Sequence, residues 1–148
     1  MNDFDTVGIL LVEDNRHDAE MTLRALDKCH YPEKGFWVKD GVEALDFIHC
    51  TGTYGERDAR EVPKLILLDL KMPRLDGLDV LRDLKSDERT RSIPVVAMTS
   101  SSQERDIDDC YRLGVNAFVT KPLDAAQFAK TIAGIGVFWL TINRGPET

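Results

Sequence analysis

Apolar residues along this chain fall into two alternating kinds of segment. Short unbroken runs, Val7–Val12, Lys64–Leu68 and Ile93–Met98, are rich in leucine and branched side chains and are bounded by polar or turn residues. That is the pattern of parallel strands covered on both faces. Phe36–Val38 and Ala117–Val119 are weaker candidates of the same kind. Between these runs the apolar period changes to that of a helix. Ala19, Leu23 and Leu26 recur at i, i+4 and i+7; Val42, Leu45 and Ile48 share one face, as do Leu78, Leu81 and Leu84 after Gly77. A fourth helix is predicted from about Gln103 to Leu113, closed by Gly114 at its C′ position. A fifth follows Pro122, with Asp124 as its N-cap.

Strand and helix thus alternate five times, which predicts an α/β fold: a (βα)5, doubly wound, five-stranded parallel sheet with right-handed crossovers. In such sheets ligands bind beyond the carboxyl ends of the strands, at the switch point in strand order. No linker or shift in composition divides the chain, so one domain is expected over 1–148, with a core of about 6–135 and a C-terminal extension over 136–148.

Charge and cysteine content narrow the setting. With 26 acidic against 19 basic residues the net charge is −7, and no basic stripe marks a nucleic-acid or anionic-membrane surface. Cys29, Cys50 and Cys110 are widely spaced, and His17, His30 and His49 lack metal-ligand spacing, so free thiols in a reducing compartment are expected. The acidic N-terminus has no signal-peptide form, and no apolar run reads as long enough to cross a membrane. These features predict a cytoplasmic protein.

The candidate chemistry lies at the strand ends. The first strand ends in Glu13-Asp14, the third in Asp69 and the fourth in Thr99-Ser100, while the fifth leads to Lys121-Pro122. Each alone has a plain structural reading: a turn or capping carboxylate, a helix N-terminal charge, a turn hydroxyl, an exposed loop lysine. Their joint occurrence at successive strand ends points elsewhere. Three converging carboxylates would repel one another unless a divalent cation joined them, and oxygen ligands suit Mg2+. Adding an ammonium and a hydroxyl describes a phosphoryl-transfer site in which Asp69 attacks phosphorus.

At this point the chain resembles the receiver domain of two-component response regulators over nearly its whole length. The matching pieces are Ile9-Leu10-Leu11-Val12-Glu13-Asp14-Asn15, Leu67-Leu68-Asp69-Leu70-Lys71-Met72-Pro73 with Asp76-Gly77, Val95-Val96-Ala97-Met98-Thr99, and Lys121-Pro122. The resemblance implies the flavodoxin-like strand order 2-1-3-4-5 and a signalling protein that catalyses only its own phosphorylation and dephosphorylation. Asp69 would accept phosphate from a sensor histidine kinase. Glu13, Asp14, Asp69 and the Lys71 carbonyl would hold Mg2+, Lys121 would pair with the phosphate, and Thr99 with Phe118 would form the switch. The Lys121–Pro122 bond would be cis. A finer resemblance, to the single-domain regulators that partner bacterial phytochromes, rests on the insertion from Thr51-Gly52-Thr53-Tyr54-Gly55-Glu56 through Val62-Pro63, on Val115-Asn116 and on Phe138-Trp139-Leu140.

The tail adds a further expectation. Phe128, Ile132, Ile135, Trp139 and Ile142 recur at spacings of four and three, with Phe138 beside them, the pattern of a helix seam. Ala129, Ala133, Val137 and Leu140 add a second apolar face, and this surplus predicts a homodimer through that helix. The alternative is a tail that folds back on its own domain, which Gly134 and Gly136 would permit by weakening the helix. The chain ends at Thr148, so output is expected through protein contacts. Three other readings compete. A haloacid-dehalogenase-type phosphatase would want a second Asp where Lys71 stands. A flavodoxin-like cofactor binder would want an anion cradle where Glu13-Asp14 stand. A pseudo-receiver would bind partners without phosphorylation.

Overall fold

In the computed structural model, which describes residues 7–29, 34–72, 74–100, 104–122 and 124–143, strand and helix alternate as the apolar pattern predicts. The strands are β1 (Val7–Val12), β2 (Lys34–Val38), β3 (Leu65–Asp69), β4 (Val95–Thr99) and β5 (Ala117–Thr120). The helices are α1 (Arg16–Lys28), α2 (Gly41–His49), α3 (Gly77–Ser86), α4 (Glu104–Arg112) and α5 (Ala125–Val137). All strands are parallel and lie in the order β2-β1-β3-β4-β5.

Period-two alternation sorts the strand side chains onto two faces. Leu10, Val12, Ile66, Leu68, Val95 and Ala97 pack with Phe47 and Ile48 of α2 and Val80, Leu81 and Leu84 of α3. Ile9, Leu11, Leu65, Leu67, Val96 and Met98 pack with Ala25 and Leu26 of α1 and Phe128 and Ile132 of α5. The unbroken apolar runs exist because each central strand is buried on both faces.

Boundaries moved where hydrogen bonding outranks hydropathy. Ile93 and Pro94 precede β4 instead of opening it; the Pro94 carbonyl accepts the Ile66 N–H, but proline has no N–H of its own to offer the ladder. β3 takes in Asp69 and β4 takes in Thr99, so both polar groups are held by the sheet itself. Gln103, where the fourth helix was expected to begin, lies outside the described residues. Gly114 does follow α4, at φ 98°, where a side chain would be strained. The Asp124 carboxylate accepts the Gln127 N–H and caps α5 as expected.

Two expectations about the tail need correction. Phe128, Ile132 and Ile135 are buried in the domain's own core against the sheet and α1, and Trp139 is half-buried against the same cluster. The four-three spacing therefore records packing within the chain, and these residues do not form an exposed seam. The helix continues past Val137 as a π-helical turn over Phe138–Ile142, which turns Val137, Phe138 and Ile142 outward at 42, 44 and 61% exposure. The stretch Ala125–Ile142, 18 residues, is also long and apolar enough by length and composition to cross a membrane, contrary to the sequence expectation. Its buried face against the sheet accounts for part of that apolar character.

Candidate functional site

The carboxyl ends of the central strands meet at one edge. The register pairs Val12 with Leu68, Asp69 with Met98 and Thr99 with Thr120, so Glu13-Asp14, Asp69, Thr99 and Lys121 emerge side by side. The Lys121 N–H donates to the Thr99 carbonyl at 2.8 Å, which fixes the lysine beside β4. One oxygen each from Glu13, Asp14 and Asp69 lies within 4.8 Å of the others. Glu13 and Asp69 are buried, while Asp14 faces solvent. Lys121 Nζ donates to Glu13 Oε1 at 2.5 Å, to Asp18 Oδ2 at 3.0 Å and to Asp69 Oδ2 at 3.5 Å. Beside the acids opens a groove of about 330 Å3 lined by Asp14, Lys71, Met72, Asp76 and Asp106, among others.

This crowding sets the electrostatics. Burial, then the hydrogen bond to Asp69, raise the Glu13 pKa to about 8 despite the pull of Lys121. Burial and repulsion from Asp69 raise Asp14 as well. Burial alone would lower the Lys121 pKa, but Glu13, Asp69 and Asp18 more than offset it and the net shift is upward. Three oxygen donors under mutual strain, one of them open to water, fit a hard divalent cation, which keeps part of its hydration shell.

A pH dependence results. Between about 4.5 and 8 the folded protein holds a proton on Glu13 that the unfolded chain has released, so stability falls as pH rises through this window. A cation needs the ionised ligands and binds more tightly as pH rises. Any increase in Tm on adding a divalent cation is therefore expected to grow from pH 5 to pH 8. Thermal melts by circular dichroism across that range check it, and an increase that is the same at both ends would contradict it.

Contacts from neighbouring elements shape the site. The Trp37 indole donates Nε1–H to the Glu13 carbonyl at 2.6 Å, while the Glu13 N–H donates to Val38, so the acidic peptide is held from β2 on both sides. Asn15, the N-cap of α1, donates its N–H to Glu13 Oε2 at 3.2 Å. The Lys71 N–H donates to Asp69 Oδ1 at 3.2 Å, and the Lys71 ammonium pairs with Asp106 of α4 at 3.4 Å, spanning the groove. Thr99 is fully buried, and Phe118 is half-buried on the α3–α4 side of the sheet.

No cis peptide bond occurs among the described residues, so Lys121–Pro122 is trans, against expectation. The intrinsic preference of an X–Pro bond is for trans by about 0.5–1 kcal/mol. Lys121 already reaches Glu13 and Asp69 in this form.

Fold and site together define a receiver domain: residues 9–133 match the response regulator receiver domain family, and the chain belongs to it. The probable methanogenesis regulatory protein FilR2 of Methanothrix harundinacea is 38% identical over 138 residues, 93% of this chain and 86% of its own. Response regulator Rcp1 of Synechocystis is 37% identical over 89% of this chain and 88% of its own. Its Mn2+-bound structure superposes with a TM-score of 0.86, at 34% identity and covering 94 and 98% of the two chains. The phosphorylated cyanobacterial phytochrome response regulator RcpA superposes with a TM-score of 0.87, at 38% identity and covering 94 and 97%. The chain is thus a two-component signalling protein with phytochrome-associated homologues.

Proposed function

We propose that Asp69 accepts a phosphoryl group from the phosphohistidine of a sensor kinase. A carboxylate oxygen of Asp69 attacks phosphorus, the P–N bond breaks, and its electron pair returns to the imidazole. Hydrolysis later breaks the P–O bond, restores the carboxylate and releases inorganic phosphate. The observation that carries this reading is the meeting of Asp69 with Glu13, Asp14 and the Lys121 ammonium at one strand edge. Glu13, Asp14, Asp69 and the Lys71 carbonyl would hold Mg2+, which when bound offsets the negative charge of the transferring group. Lys121 pairs with a phosphoryl oxygen, Thr99 supplies a hydroxyl, and the half-buried Phe118 follows it as the readout. A phosphatase of the haloacid-dehalogenase type is disfavoured because the Lys71 ammonium, paired with Asp106, stands where that chemistry needs an acid.

Incubation with Mg2+ and a small acyl phosphate, followed by intact mass, tests this. One labile phosphoryl adduct that chelator abolishes is expected; no adduct at any donor concentration would overturn the proposal.

The kinase we propose is a phytochrome in the cytoplasm, because RcpA is named as a phytochrome response regulator. Signalling then passes through protein contacts of the receiver domain. A homodimer fits the exposed Val137, Phe138 and Ile142 of the terminal turn, in place of the buried seam. Light scattering is expected to give twice the chain mass for the parent and a monomer for Phe138→Asp. A Phe138→Asp dimer, or a parent monomer, would remove this surface from the interface.

A further inference from the structure

Asp18 has no place in the chemistry described so far, yet it lies nearer to the Lys121 ammonium than Asp69 does: 3.0 Å against 3.5 Å. An ammonium has three N–H donors, and Glu13, Asp18 and Asp69 occupy all three. We propose that Asp18 is a positioning residue for the phosphoryl site, holding Lys121 from α1 and competing with the phosphoryl group for its ammonium. This deepens the reading of Asp69 as phosphoacceptor and rests on it.

The placement of Asp18 is built into α1. The Asn15 side chain accepts the Asp18 N–H at 3.0 Å, and the Thr22 hydroxyl donates to the Asp18 carbonyl at 2.7 Å. Both ends of the Asp18 backbone are therefore tied, and the carboxylate meets Lys121 directly, beside a hollow of about 210 Å3 that Ser100 and Pro122 also line. Asp18 also sits in the first turn, where the helix dipole favours an anion, so a purely local role must be distinguished from one exerted through Lys121.

A phosphoryl group on Asp69 brings oxygens that need a donor from Lys121, and one of the three carboxylates must yield. Glu13 is the costly one to release: its side chain is 4% exposed, and water cannot replace the lost partner. The Asp18 side chain is 25% exposed and can be rehydrated. The partial exposure also limits what the Asp18–Lys121 contact is worth. Asp18 thus yields when phosphate arrives, and breaking its contact lowers the net gain of forming the phosphorylated state.

The test uses the full chain at saturating Mg2+, with beryllofluoride as the phosphoryl mimic and intrinsic fluorescence as the readout. Asp18→Asn is expected to bind beryllofluoride more tightly by about 1.5-fold to fivefold, the range of a partly exposed ion pair. It is also expected to reach a larger phosphorylated fraction from a small acyl phosphate, which bypasses kinase docking. Asp18→Glu keeps a carboxylate within reach and should behave as the parent. Glu20→Gln, which removes a charge from the same helix at a residue paired with Arg16, should change nothing and so excludes a general charge effect. Should Asp18→Asn fold poorly, Asp18→Ser, which suits a first helical turn, takes its place. Unchanged or weaker binding in the neutral variants, or equal tightening in Glu20→Gln, would overturn the proposal. Absence of adduct from every protein, the parent included, would instead overturn the assignment of Asp69.

Discussion

Asp69→Asn is expected to keep its unmodified mass through incubation with Mg2+ and a small acyl phosphate, while melting at the same temperature as the parent or slightly above it. The first part rests on the proposed chemistry: an amide oxygen does not form the mixed anhydride that a carboxylate forms with phosphorus. The second rests on the packing. Asp69 is 6% exposed and faces Glu13 and Asp14, with Lys121 at 3.5 Å as the offsetting cation. Asparagine keeps an oxygen for the Lys71 N–H, so the loop after β3 stays anchored. It removes one charge from a crowd that already pushes the Glu13 pKa up to about 8. Relief of roughly 1 kcal/mol of like-charge repulsion would raise Tm by about 2–4 °C for a domain of this size. The same change removes a proposed metal ligand, so Mg2+ should stabilise the variant less than the parent. Intact mass with parallel thermal melts separates these outcomes. An adduct that persists in a folded Asp69→Asn protein would move the phosphoacceptor elsewhere, and a collapse in Tm would mean the carboxylate is structural.

Why the acidic edge could be read from the sequence, and its surroundings could not, comes down to the range of each signal. Glu13, Asp14 and Asp69 lie at the ends of strands whose burial on both faces leaves unbroken apolar runs, so their positions are fixed by local pattern. Thr99 and Lys121 obey the same logic. Trp37 reads as one more apolar strand residue; its bond to Glu13 depends on the β1–β2 register, which pairs it with Leu11. Asp18 reads as a charge at a helix N-terminus, and its lysine is 103 residues away. The tail misled for a different reason. Spacings of four and three describe a helix with one buried stripe whether the surface opposite is a second chain or the molecule's own sheet, and Phe128, Ile132 and Ile135 meet the sheet. The exposed apolar patch begins at Val137, the last residue of α5, and continues through the π-helical turn that starts at Phe138, a change that hydropathy does not signal.

Gly77→Ala is expected to cost about 1–3 kcal/mol of stability, the range for forcing a methyl group into filled space, and to weaken phosphorylation as well. Gly77 opens α3 directly behind the acidic edge, donating its N–H to the Leu70 carbonyl at 3.0 Å. A Cβ there would lie 2.5 Å from the Asp69 carbonyl oxygen and 2.6 Å from Leu70 Cα. Both are backbone atoms, so no side-chain rotation can make room. Either α3 lifts from the sheet, where Val80, Leu81 and Leu84 are buried, or the end of β3 shifts and takes the Asp69 carboxylate and the Lys71 N–H with it. The first response lowers Tm by about 2–4 °C per kcal/mol; the second reduces Mg2+ affinity and adduct yield in protein that is still folded. Gly134→Ala supplies the contrast within the same chain. Nothing lies within 4 Å of the Cβ it would add, and it sits inside α5. There the change should stabilise by about 0.4–1 kcal/mol through the unfolded chain and leave phosphorylation untouched. Thermal melts and adduct yields of the two variants together decide the matter. A Gly77→Ala protein that melts within about a degree of the parent and phosphorylates normally would show that α3 and the end of β3 have more room between them than their contact distances allow.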